Sequence, residues 1–115
     1  MISIPFEISE VHAGFSEAKG ILRMEDEFLV FQVQIVTLGM FKQKPEIIKI
    51  EFNAIDEIRH ERRLVSDRLY VRPKRIQLLD VMPGKHPIEV KLKIKRKYRT
   101  RMLLLVDAVR RRQRS

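Results

Sequence analysis

The sequence predicts a mainly β domain: about seven short antiparallel strands followed by one C-terminal α-helix. Three observations predict it. Apolar and polar residues alternate with a period of two in several segments between Ala18 and Lys95. The gaps between those segments are short and hold acidic, proline or glycine turn residues. Only after Lys95 does the period change. Tyr98, Met102, Leu105, Val106 and Val109 then recur at spacings of 4, 3, 1 and 3, which is helical. At 115 residues and 44% hydrophobic, the chain has apolar material for one core and ranks as one domain.

Residues 1–13 read as an N-terminal lead-in, 14–112 as the domain and 113–115 as a frayed basic tail. Ala18 to Arg23 and Phe28 to Val36 form two strands joined by the acidic quartet Met24-Glu25-Asp26-Glu27. In the second strand Leu29, Phe31, Val33 and Ile35 share one face. Residues 37–45 are a loop with Gly39 and Pro45. Ile48, Ile50 and Phe52 alternate with Lys49 and Glu51 in a third strand. Asn53 to Leu64 reads two ways. It is a helical turn capped by Asn53, or a strand from about Glu57 to Arg63. Ser66-Asp67 reads as a turn, Arg68 to Arg72 as a strand and Arg75 to Asp80 as another. Met82-Pro83-Gly84-Lys85 is a turn in which Gly84 is free to take positive φ. Ile88 to Lys95 alternates throughout, with Glu89, Lys91, Lys93 and Lys95 on one face. The helix spans about Lys97 to Arg112, with Arg110 to Ser115 expected to fray.

Charge is distributed unevenly. Residues 1–57 hold five basic and ten acidic side chains; residues 58–115 hold nineteen basic and five acidic ones. The net charge of +9 therefore hides an acidic half and a basic half, and the basic half suits an anionic partner. Cysteine is absent, so disulfides and thiolate chemistry are excluded. His12, His60 and His86 have no metal-ligand spacing, and His60 reads as a solvated strand histidine. Gly14, Gly20, Gly39 and Gly84 are isolated, so there is no phosphate-binding glycine loop. Neighbouring carboxylates such as Asp56 and Glu57 point to opposite faces of a strand and make no acid–base pair. No enzyme activity, cofactor, metal or small-molecule substrate is expected. Met1 to Phe6 lacks the basic and apolar stretches of a secretory signal, so a cytoplasmic protein is expected.

The candidate anion- or partner-binding residues are Lys91, Lys93 and Lys95, with Arg72, Lys74, Arg75 and Arg99. Arg59, Arg62 and Arg63 form a third cluster. On adjoining strands these clusters would make one broad cationic surface. The same lysines also read as a solvated strand face that guards against edge aggregation. Leu103 and Leu104 widen the apolar face of the helix and are candidate interface residues. Tyr70, between Leu69 and Val71, stands among arginines where one stacking contact is conceivable, and partial burial is the favoured reading.

The acidic hairpin Met24–Glu27, Ile48–Ile58 running into a charged strand, Leu69-Tyr70-Val71-Arg72, the Val81-Met82-Pro83-Gly84 turn and the closing Val90–Val109 strand and helix together resemble the bacterial pleckstrin-homology-like domains. The resemblance implies a split barrel of seven strands capped by the helix. It implies no single activity, because that fold serves lipid, peptide and protein recognition. In phosphoinositide-binding relatives the loop between the first two strands is basic; here Glu25-Asp26-Glu27 is read at that place and would repel phosphate. Two functions follow. One is a non-enzymatic interaction module whose partner is a protein or a second copy of the chain. The other is a nucleic-acid-binding domain that clamps phosphates without reading sequence. An anionic membrane surface ranks third, because the sequence has no insertion helix or lipidation motif.

Overall fold

The computed structural model describes residues 2–11, 16–37, 40–41, 44–84, 86 and 88–113. His12, Gly14, Gly39 and Lys85 lie outside them. Eight strands form one antiparallel sheet: β1 (Ser3–Val11), β2 (Ser16–Glu25), β3 (Phe28–Thr37), β4 (Met40–Phe41), β5 (Glu46–Glu51), β6 (Ile55–Glu61), β7 (Ser66–Pro73) and β8 (Val90–Lys95). Their order is β4-β3-β2-β1-β8-β7-β6, with β5 also on the outer edge of β3. Among the described residues one α-helix, α1 (Arg99–Gln113), follows the strands. The mainly β fold with a C-terminal helix is as expected.

The largest correction is at the N-terminus. The expected lead-in is β1, an interior strand of the sheet that pairs with β2 on one side and β8 on the other. Ile4, Phe6 and Ile8 alternate into the core. The acidic quartet therefore joins the second and third strands, not the first and second. Its turn closes on the Glu25–Phe28 pair, with Asp26 at φ 51°. Aspartate tolerates that left-handed conformation because its short side chain bonds locally. The expected loop at 37–45 contains β4, paired with Val36 and Thr37 of β3.

Between Asn53 and Leu64 the strand reading holds. Phe52–Ala54 is a 3-10 turn whose N-cap is Glu51, and no side chain caps it; Asn53 lies inside it. Phe52 thus leaves the strand it was expected to extend, though its ring stays buried. Ser66 and Asp67 are the first residues of β7 and not a turn. Residues 76–79 form a 3-10 turn and not a strand; it buries Leu79 alone. Gly84 has φ 94°, as the turn requires. Ile88 and Glu89 precede β8, and Ile88 is exposed.

β5 and β6 follow one another across the 3-10 turn but do not pair among the described residues. The sheet therefore curls into a split barrel, and α1 packs across the split. Met102, Leu105, Val106 and Val109 enter the core, and Tyr98 packs beside it. The helix starts at Arg99, after a 3-10 turn at Arg96–Tyr98. Its expected frayed end is held through Gln113. Arg110 Nη2 donates to Ile58 O at 2.8 Å, and Gln113 Nε2 donates to Phe52 O at 3.2 Å and Ile55 O at 2.7 Å. These bonds tie the end of α1 to carbonyls of the 3-10 turn and of β6; Phe52 O also accepts from Ile55 N.

Candidate functional site: the outer face of the sheet

Strand register decides which charges share a surface. Inward residues of β6, β7 and β8 are Ile58, Leu69, Val71, Leu92 and Ile94. Their alternates therefore face outward. One row crosses six strands: Glu61, Arg68, Lys93, Glu7, Lys19 and Gln34 stand side by side. The next row holds Arg59, Tyr70 and Lys91, and Lys95 stands opposite Ser66. Arg59, Arg72 and the three lysines lie on adjoining strands β6, β7 and β8, whereas Arg62 and Arg63 lie past the end of β6 and Lys74 and Arg75 past the end of β7. They are not equally available.

Arg59 reaches Glu89 with Nη1 at 2.7 Å and Nη2 at 2.9 Å, and lies 4.2 Å from the Tyr70 ring centroid. The paired hydrogen bonds hold the Glu89 carboxyl below its ordinary range. Tyr70 is buried under that guanidinium, so the stacking contact considered for it is closed. Arg72 bonds Asp56 and Glu57. Arg63 bonds Glu61. Arg99 bonds Asp67 through Nε at 2.6 Å and Nη2 at 2.7 Å. Asp67 is fully buried and also accepts from Arg63 N at 3.3 Å. Those bonds, Arg99's first, hold its carboxyl below the ordinary value. Arg72 and Arg99, both candidates for partner binding, are thus engaged within the fold. Arg99 ties the start of α1 to β7.

The side chains of Lys91, Lys93 and Lys95 have no ion pair or hydrogen bond among the described residues, and neither have those of Lys74 and Arg75, whose backbones bond Ala54 O and Leu78 N. Lys74 and Arg75 are exposed beyond the end of β7, away from the rows. Leu103 and Leu104 are 44% and 51% exposed on α1, beside the Asp107–Arg111 ion pair.

Sequence reasoning missed Lys19 and Glu7. Among the described residues β1 and β8 share one register pair, Glu7–Lys93. A shallow pocket of about 220 Å³ opens there, with Phe6 in its floor and Glu7, Lys19, Lys93, Lys95 and Tyr98 around it. Lys19 and Lys93 were legible as outward lysines; only the pairing of β1 with both neighbours brings them together. His60 is half-buried and its Nε2 is enclosed without a hydrogen-bond partner, which corrects its reading as a solvated residue. Among the described residues no three His, Asp or Glu side chains converge to hold a metal, and no helix is long and apolar enough to cross a membrane. Comparison with protein families, curated proteins and solved structures finds no match to this chain.

Proposed function

We propose that this chain is a non-enzymatic, cytoplasmic interaction module of the pleckstrin-homology-like type, and that its outer sheet face docks an acidic segment of a protein partner or of a second copy. One observation carries the reading. Arg59, Arg63 and Arg72 are neutralised by carboxylates within the fold, whereas the side chains of Lys91, Lys93 and Lys95 line one strand with no ion pair among the described residues, and Lys19, bridged to Glu17, stands across β1. Carboxylates interrupt the same row at Glu7 and Glu61. A row of mixed sign favours a partner with patterned charge over a uniformly anionic polymer. The acidic β2–β3 turn supplies such a segment on another copy.

Fluorescence anisotropy tests this with a labelled acidic peptide, a labelled DNA duplex and a labelled single strand, beside sedimentation equilibrium of the chain alone. The expected result is peptide binding or self-association that Lys91→Ala, Lys93→Ala and Lys95→Ala together weaken. DNA binding that persists near physiological salt, with a log–log slope of about −0.9 per phosphate contact and several contacts, would replace this reading with a phosphate clamp.

A further inference from the structure

The turn between β6 and β7 ends in two aliphatic side chains that nothing covers. Leu64 is 89% exposed and Val65 82%, more than the other exposed large hydrophobics among the described residues. Tight turns ordinarily carry polar or small residues, which makes two adjacent aliphatics at such a tip a feature that needs a partner.

Cations from four elements surround the tip. Arg62 and Arg63 lead into it from β6. Arg68 reaches back from β7, its Nη1 at 3.4 Å from Ser66 O and 3.3 Å from Asp67 O. Arg96, in the turn before α1, donates from Nη1 to Leu64 O at 2.9 Å. Lys95 of β8 stands opposite Ser66. Against these five cations stand two carboxylates. Glu61 is bonded to Arg63, and Asp67 is buried and bonded to Arg99. The tip is therefore a convex apolar point inside a collar of excess positive charge.

That pairing of chemistries matches one kind of surface. Aliphatic side chains gain by leaving water for the acyl boundary of a bilayer, and guanidinium and ammonium groups gain beside anionic headgroups. A nucleic acid would engage the collar but leave Leu64 and Val65 in water. We propose that the β6–β7 tip docks on anionic membrane, inserting Leu64 and Val65 while Arg62, Arg63, Arg68, Lys95 and Arg96 meet the headgroups. This surface shares Lys95, Arg68 and Glu61 with the outer sheet face, but Leu64, Val65, Arg62 and Arg96 belong to the tip and carry this proposal independently of the partner proposed for that face.

Co-sedimentation with phosphatidylcholine vesicles, with and without phosphatidylserine, tests the proposal. Wild type is expected to bind only the vesicles containing phosphatidylserine, less tightly as salt rises. Leu64→Asp with Val65→Asp is expected to lower partitioning on the order of tenfold or more. Arg62→Gln and Arg96→Gln should each lower it about fivefold. Lys91→Ala with Lys93→Ala should retain it, which separates this surface from the β8 row. The chain has no tryptophan, so Leu64→Trp places a single indole at the tip, and its emission should shift to the blue on the anionic vesicles. Circular dichroism confirms that each variant folds. Absence of vesicle binding, equal binding by the Leu64→Asp, Val65→Asp variant, or an unshifted indole would overturn the proposal. So would self-association that this variant abolishes without any vesicle binding by wild type.

Discussion

Replacing Asp67 with asparagine should destabilise the fold and leave binding to an acidic peptide unchanged. Asp67 is fully buried and takes two short bonds from Arg99, at 2.6 and 2.7 Å, and a longer one from Arg63 N. A hydrogen bond to a charged group contributes about 1.5–3 kcal/mol, and asparagine keeps one acceptor oxygen, so about one such bond is lost. Arg99 is 19% exposed and can turn part of its guanidinium to water, which spares the full penalty of an orphaned buried charge. The expected loss is about 2 kcal/mol at neutral pH. In a domain of this size that lowers Tm by roughly 8 °C. Urea and thermal unfolding measure both values. A second signature lies in acid. Because the Arg99 bonds depress the folded-state pKa of Asp67 below 3.8, the unfolded chain takes up this proton first as pH falls. The contribution is fully present above the unfolded value and is lost as pH drops through the lower folded one. The Asp67→Asn variant should lack this part of the acid limb. A loss under about 0.5 kcal/mol, or an acid limb identical to wild type, would show that the pair does not hold α1 to β7.

Two further perturbations test how the split barrel is held. Gly20→Ala would place a Cβ 2.1 Å from Gln32 O and 2.8 Å from Phe6 Cζ. The oxygen belongs to the β3 backbone and cannot rotate away, so a cost of about 3 kcal/mol is expected in the urea midpoint, and a neutral variant would refute this packing. Gln113→Ala removes both bonds from α1 to the carbonyls at the β5–β6 split. It should cost about 1 kcal/mol and speed amide exchange in the last turn of α1, and unchanged exchange would show that the end is held otherwise.

Elements with one face in the core and one in water were legible from their residues. β5, β8 and the apolar stripe of α1 are of this kind; in β3 the alternation was legible, though Val30 and Val36 on its other face are buried as well. β1 carries the same alternation, with Ile4, Phe6 and Ile8 inward, yet it read as a lead-in before the domain. Proline removes a ladder donor, but Pro5 pairs with Ile21 of β2 at a place where β1 has no described partner on its β8 side. Ser66-Asp67 has turn composition and is strand, because a partner 32 residues away takes the carboxylate. The β8 lysines were legible as one outward face. That Arg72 and Arg99 would be engaged elsewhere was not, since their partners come from other strands.

The sequence by itself determined a β-rich chain with a helical end, a basic C-terminal half and an outward lysine strand. These follow from local periodicity and charge, which need no partner to be read. Tertiary structure alone decided which cations stay unpaired, that Lys19, bridged to Glu17, stands across β1 from Lys93, and that Leu64 and Val65 stand exposed among arginines. Each depends on register and on contacts between residues far apart in the chain, and a charge is spent or free only once its neighbours in space are set.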